Sequence, residues 1–246
     1  MSKKFIIAID AMGGENAPTK NIEGLKFFLD KNKQSDDFFF HLYGDENLIK
    51  KEIIKFNISK KYFNLFHTET VVSDEETPLT AIKNSKNSSM WNSINSQINS
   101  SADISLSAGN TGVLLVISRM ILKTMESVSK PALAGLWPSK KGVSVVLDLG
   151  ANVECDEKNL VDFSELGAAL YKSIVPAGTP NVALLNIGSE EIKGTEIIKN
   201  TYSKLKKISH YGDFNFNGYI EGNKLMNGDS NVIVTDGFTG NIALKT

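Results

Sequence analysis

The chain is poor in the residues that carry covalent and metal chemistry. Cys155 is its only cysteine, so no internal disulfide can form and a reducing, cytosolic setting is expected. With no histidine in its own loop, Cys155 reads as a buried structural thiol and not as a nucleophile. His41, His67 and His210 are the only histidines. None falls in a glycine-bearing loop, which argues against a Ser-His-Asp or Cys-His hydrolase. Metal-binding Cys/His spacings are missing, and neither metal nor cofactor is expected. Arg119 is the only arginine, so phosphate must be met by backbone amides, hydroxyls and lysines, without the bidentate fork. The Walker pattern G-x-x-x-x-G-K-[ST] and the fingerprint G-x-G-x-x-G are both missing, which weakens ATP and classical dinucleotide readings. No run nears the roughly 18 apolar residues of a spanning helix. The amino-terminal FIIAI is too short, and too soon followed by Asp10, for a signal peptide. Net charge is −1, so no global field draws the chain to nucleic acid or to an acidic membrane.

What is present is ordinary in amount, with 41% hydrophobic and 22% charged residues, but it is distinctively arranged. The stretch from Ser105 to Met120 reads SLSAGNTGVLLVISRM. A short apolar run ends there, six small residues follow, and Val113, Leu114, Val116, Ile117, Met120 and Ile121 then recur at helical spacing. A strand, a tight glycine loop and a helix start form an anion site, because the helix start leaves backbone N–H groups unpaired and glycine lets a phosphate approach them.

Similar units recur along the chain. Strands are expected at 5–9, 38–43, 62–66, 70–72, 104–106, 132–136, 143–147, 182–185, 219–220 and 232–234. Helices are expected after Pro18, at 48–56, from Thr77-Pro78, through Met90, Ile94 and Ile98, after Gly112, at 160–174 and at 190–207. A last helix is expected over Ile242 to Lys245 only. Strands alternating with helices indicate one α/β domain, 1–246, with a mostly parallel sheet covered on both faces. Because a one-turn helix is not stable alone, the chain is expected to be a fragment of a longer protein.

Five apolar strands leave through small polar loops: Asp10 to Gly14, Ser107 to Gly112, Asp148 to Asn152, Asn186 to Ser189 and Thr235 to Asn241. In one parallel sheet these exits share the edge where open α/β sheets bind ligands. The loops are rich in groups that hold anions and poor in bases, which suits a reaction whose nucleophile is itself a bound anion. Inorganic phosphate, already ionised at neutral pH, need only be positioned while the oxyanion formed on an acyl carbonyl is stabilised. Asp10, Asp148 and Asp236 fit as residues that orient amides and lysines, or equally as strand-end caps.

The stretches DAMGG, SAGNTG, VVLDLGANVEC, VALLNIGSEEIKG, GYIEGNKL and DGFTGNIALKT, in register from Phe5 to Thr246, resemble the bacterial phosphate acyltransferases of phospholipid synthesis (PlsX). The resemblance implies a Rossmann-like three-layer α/β/α sandwich, similar to isopropylmalate dehydrogenase and phosphate acetyltransferase. It implies an enzyme that converts acyl-(acyl carrier protein) and phosphate into acyl phosphate and free carrier protein. It also implies a cytoplasmic homodimer, peripheral to the membrane or touching a downstream acyltransferase. Carried over by residue, Asn110, Thr111 and Asp236 are the candidate catalytic groups. Asp10, Gly13, Gly14, Ser107, Gly109, Gly112, Asn152, Thr239 and Asn241 are the candidate substrate-binding residues. Lys83, Lys86 and Lys193 are candidates for phosphate or for the acidic carrier. Arg119 reads equally as a surface salt-bridge partner. Two departures stand out. Lys83 occupies a position where the family usually has arginine, and family members continue beyond DGFTGNIALKT into helices that form the dimer and touch the membrane. The alternatives are a truncated, non-catalytic protein that binds acyl carrier or phosphate, and a dehydrogenase of the same fold. The latter would need the dinucleotide fingerprint or a Mg²⁺ carboxylate cluster, and neither is found.

Overall fold

The computed structural model of the protein describes residues 4–32, 37–73, 75–209 and 213–246; His210 lies outside them. The chain divides into two compact units, residues 1–123 and 124–246. Its strands form two sheets, so the five exits expected on one edge are shared between two sheet edges. The reason is visible in the pairing. Strand β4 joins only β1, and the next strand, β5, begins a new sheet.

In the first unit, β1 (Phe5–Asp10), β2 (Phe38–Gly44), β3 (Phe63–His67) and β4 (Ile104–Ser107) lie in the order β3-β2-β1-β4. All pair in parallel. One face is covered by α1 (Thr19–Lys31) and α2 (Glu46–Lys55). Ile22, Leu25, Ile49 and Ile53 from these helices pack on Ile7, Phe40, Leu42 and Phe63 of the strands. Helix α3 (Pro78–Asn84), α4 (Ser89–Asn95) and α5 (Thr111–Leu122) follow. Met90 and Ile94 pack with Val113 and Ile117 in a separate cluster. Residues 70–72, expected as a strand, lie outside any strand, although Val72 is buried in that same cluster. The helix expected to reach Ile98 stops at Asn95, and Ile98 is exposed in the turns that follow. Its serines and asparagines compete for backbone hydrogen bonds: the Ser93 and Ser96 hydroxyls donate to carbonyls three residues back, a habit that weakens helix interiors.

In the second unit, β5 (Gly135–Ser139), β6 (Gly142–Leu147), β7 (Asn181–Leu185), β8 (Asn215–Ile220) and β9 (Val232–Val234) take the order β5-β6-β9-β7-β8. Only β5 runs antiparallel. It lies three residues later than expected and includes Pro138, which an edge strand tolerates because its outer N–H needs no partner. Helix α6 (Glu157–Ile174) and helix α7 (Glu196–Ile208) bring Leu160, Phe163 and Leu205 onto Val145, Leu147, Val182, Leu184, Val232 and Val234. The alternate residues Val146, Ala183, Leu185 and Ile233 face the other way, toward Leu225 and Ala243. Helix α7 begins six residues later than expected. Gly194 stands at φ +99°, and the Thr195 hydroxyl accepts from the Ile198 N–H at 3.3 Å as the cap. The last helix, α8 (Gly237–Lys245), has nine residues and is more than the single turn expected. Its extra turn starts at Asp236, whose carboxylate caps it.

Candidate active site

In the first unit two strand exits interlock. Asp10 and Ser107 are register partners at the ends of β1 and β4. The Ser107 hydroxyl donates to Asp10 Oδ2 at 2.7 Å and accepts from the Gly109 N–H at 3.1 Å. The Met12 N–H reaches Asp10 Oδ1 at 3.3 Å. Asn21, from α1, ties the β1 loop down by donating to the carbonyls of Ala11 and Gly13, each at 2.9 Å. Gly13 must be glycine, since a Cβ there would stand 2.5 Å from Asp10 Oδ2 and 2.9 Å from the Gly109 nitrogen. Gly14 is equally confined, against the Ala108 carbonyl. Asp10 is buried, and burial pushes its carboxyl up from the ordinary value, against the opposing Ser89 and Ser107 hydroxyls and the Met12 and Gly13 amides.

Asn110 caps α5. Its Oδ1 accepts from the Val113 N–H at 3.1 Å, and its Nδ2 donates to the Glu76 carbonyl at 3.1 Å. Thr111 and Gly112 form the first turn of α5, beside Gly109. The loop thus leads Asp10, Gly13, Gly14, Ser107 and Gly109 straight into a helix start, the arrangement that receives anions. Lys83 and Lys86 lie exposed in and just after the last turn of α3. Arg119 stands exposed in the last turn of α5, at the end away from Thr111. His67, the last residue of β3, shares this carboxyl edge. Sequence reading passed it over because it lies on a strand and not in a loop, and its Nδ1 accepts from the Glu46 N–H at 3.2 Å.

In the second unit the loop after β6 folds around Asp148. Oδ1 accepts from the N–H groups of Leu133, Gly150 and Ala151 at 3.0, 3.1 and 2.9 Å. Oδ2 accepts from both the backbone N–H and the Nδ2 of Asn152, each at 2.8 Å. Asn152 Nδ2 also donates to the Pro131 carbonyl at 2.7 Å. Both amide protons of Asn152 are therefore committed to the loop, and its side chain offers an anion no donor. The Asn152 carbonyl accepts from the Gly237 N–H at 2.8 Å, which joins this loop to the start of α8. There Asp236 accepts from the Thr239 N–H at 2.8 Å and from the Thr239 hydroxyl at 2.9 Å. A Cβ on Gly150 would stand 2.8 Å from Asn241 Nδ2, so Asn152, Asp236, Thr239 and Asn241 do come together.

Lys193 lies apart from that group, on the loop after β7. It pairs with Glu190 at 2.9 Å, and that pair holds its ammonium above the ordinary value. Cys155 is buried behind the loop, and burial pushes its thiol up to about 11, which makes it a poor nucleophile. Thr195, missed because α7 was expected to start too early, stands where two cavities of about 490 and 540 Å³ adjoin. Both are lined by Thr195, Ile198 and Asp236. Its signal was the Gly-Thr pair followed by an acidic residue. Among the described residues no acidic, histidine or cysteine group is placed to hold a metal ion, and no helix is long and apolar enough to cross a membrane.

Comparison with known proteins shows the family. Residues 5–246 match the family model described as fatty acid synthesis protein. The phosphate acyltransferase of Pelagibacter ubique is 54% identical over all 246 residues, which cover 72% of that protein. The phosphate acyltransferase of Caulobacter vibrioides is 39% identical over the same 246 residues, 67% of its length. Among solved structures, EutD phosphotransacetylase from Staphylococcus aureus aligns over 98% of this chain and 81% of its own, with a TM-score of 0.69 at 14% identity. A branched-chain phosphotransacylase from Enterococcus faecalis V583 aligns over 98% and 83%, with a TM-score of 0.60 at 14% identity. At such identities the two structures speak for the α/β fold, and the curated relatives speak for the family. The chain belongs to the fatty acid synthesis protein family, as an acyltransferase of the phosphate acyltransferase group.

Proposed function

We propose that the protein transfers an acyl group from the thioester of acyl carrier protein to inorganic phosphate, with the exits of β1 and β4 as the anion-holding edge. A phosphate oxygen attacks the thioester carbonyl carbon, a C–O bond forms and the C–S bond breaks. The products are acyl phosphate and the carrier thiol, which takes the proton that phosphate gives up. No protein nucleophile is needed, in keeping with the poverty of histidine and cysteine at these loops. The observation that carries the reading is the interlock of Gly13 with Gly109 at the start of α5. Two backbone segments free of side-chain bulk meet a helix start, where N–H groups can approach a phosphate or an oxyanion.

In this reading Thr111 and Gly112 contribute amides and a hydroxyl, Gly109 contributes bare backbone whose N–H the Ser107 hydroxyl holds, and Asn110 contributes both its cap and its carboxamide. Asp10 and Ser107 fix the shape of the loop. Asp236, Thr239 and Asn241 serve the acyl side, and Lys83, Lys86 and Lys193 attract the carrier or phosphate. A cytoplasmic, peripherally membrane-associated homodimer is part of the same proposal. Asn110→Ala is expected to cut acyl phosphate formation about 100-fold, as for loss of an oxyanion donor. Loss of the cap alone costs only about 1 kcal/mol of stability. The check is release of carrier thiol and acyl phosphate, set against urea unfolding of the same variant. Turnover at the unmutated rate would remove Asn110 from the site.

A further inference from the structure

The larger of the two adjoining cavities, about 540 Å³, lies between the exits of β7 and β9 in the second unit. Its lining is largely apolar, with Leu185, Ile187, Ile198, Leu225, Ile242 and Ala243. Thr195, Asp236 and Thr239, from the starts of α7 and α8, add polar groups. The smaller cavity shares Thr195, Ile198 and Asp236 and continues past Lys130, Glu154 and Asp156. Size, apolar lining and a few convergent polar groups are the marks of a small-molecule site. Ile187 is 81% exposed and Ile242 53% exposed at the mouth, large apolar surfaces that water does not favour.

Resting on the function proposed above, we propose that this cavity is the acyl-chain site, and that Ile187, Ile242 and Ala243 set the chain length the enzyme accepts. The chain lies among the apolar side chains of this cavity, with Thr195, Asp236 and Thr239 as its polar part. Each methylene drawn from water into such a wall improves binding by about fourfold. Selectivity should therefore rise steeply with chain length until the wall ends.

The test uses Ile187→Asp, a change at an exposed position, and Ala243→Phe, a change that shortens the cavity. For each variant and the unmutated protein, kcat/KM is measured with long-chain (sixteen-carbon) and short-chain (four-carbon) acyl carrier protein. The ratio of long to short is expected to fall at least about tenfold in both variants, the usual worth of a lost methylene contact. Ile187→Asp serves if Ala243→Phe fails to fold. A second arm measures calorimetric binding of dodecyl phosphate, a stable mimic of the product, to the unmutated protein and to Ile187→Asp; weaker binding to the variant supports the site. If the enzyme turns over both substrates and the variants leave the ratio unchanged, the acyl-chain site is overturned while the function stands. If no acyl phosphate forms with either chain but Ile187→Asp still weakens dodecyl phosphate binding, the function fails and the site stands. Equal dodecyl phosphate binding in both proteins overturns the site whatever the turnover.

Discussion

Asp10 and Asp148 occupy the same place in their two units, at the carboxyl end of a central parallel strand, and both are buried. Their surroundings differ. Asp148 receives five N–H donors, at 2.8 to 3.1 Å, from Leu133, Gly150, Ala151 and Asn152. At Asp10 the Ser107 hydroxyl donates at 2.7 Å and the Met12 amide at 3.3 Å, and the Ser89 hydroxyl and Gly13 amide also favour the charged form. The first carboxylate is an assembly post around which a loop is wound. The second is left with burial as the dominant influence and its proton affinity raised. Sequence alone presents the two as equivalents, an aspartate after an apolar run and before glycine. Only the structure shows that the donors to Asp148 are mostly backbone N–H groups of the loop that follows it.

The largest effect expected from breaking this contrast comes from Asp148→Ala. It strands four backbone N–H groups in a buried loop, and unpaired buried donors cost roughly 1–3 kcal/mol each. A loss of at least about 3 kcal/mol in urea unfolding is expected. A change below about 1 kcal/mol would mean that other groups hold the loop and that the two aspartates are alike after all. Next in size is Gly240→Ala. A Cβ at this position in α8 would overlap the Asp148 carbonyl, so α8 would be forced away from the β6 exit. Overpacking of this kind costs about 1–3 kcal/mol, read as a lower urea midpoint. An unchanged midpoint would show that α8 is free to shift, and that the Asp148 loop is not anchored through it.

Much of the fold was legible because it rests on signals that are local. The apolar runs FIIAI and VSVVL became β1 and β6, and the Leu160 and Phe163 stripe became the buried face of α6. The parallel α/β class followed from alternation, and the glycine loops were read at the strand exits where they lie. What failed needed knowledge of tertiary or cap geometry. The division into two sheets depends on which strand β4 pairs with, and no pattern within β4 records that. The late start of α7 depends on Gly194 and Thr195 overriding a run of good helix formers. Asn152, placed in the site by the family resemblance, does stand beside Asp236, and the structure adds that its amide protons go to Asp148 and Pro131.

The smallest expected effect is also the one that measures the contrast most directly. The folded Asp10 carboxyl has a pKa raised above its ordinary value of 3.8, chiefly by burial. For an acid this means that folding favours the protonated form. The stability this confers is complete below the ordinary value and is lost as pH rises through the raised one. Asp10→Asn stays uncharged at every pH and keeps an acceptor for the Ser107 hydroxyl. Urea midpoints of the two proteins, followed between roughly pH 3 and 7, should therefore diverge in one direction. The variant gains on the unmutated protein as pH rises through the raised pKa, and the difference then levels off. A difference that stays flat would mean that Asp10 takes up no extra proton on folding. A difference that moves against the variant over the same interval would mean that donors outweigh burial at Asp10, and that its surroundings hold the charged form.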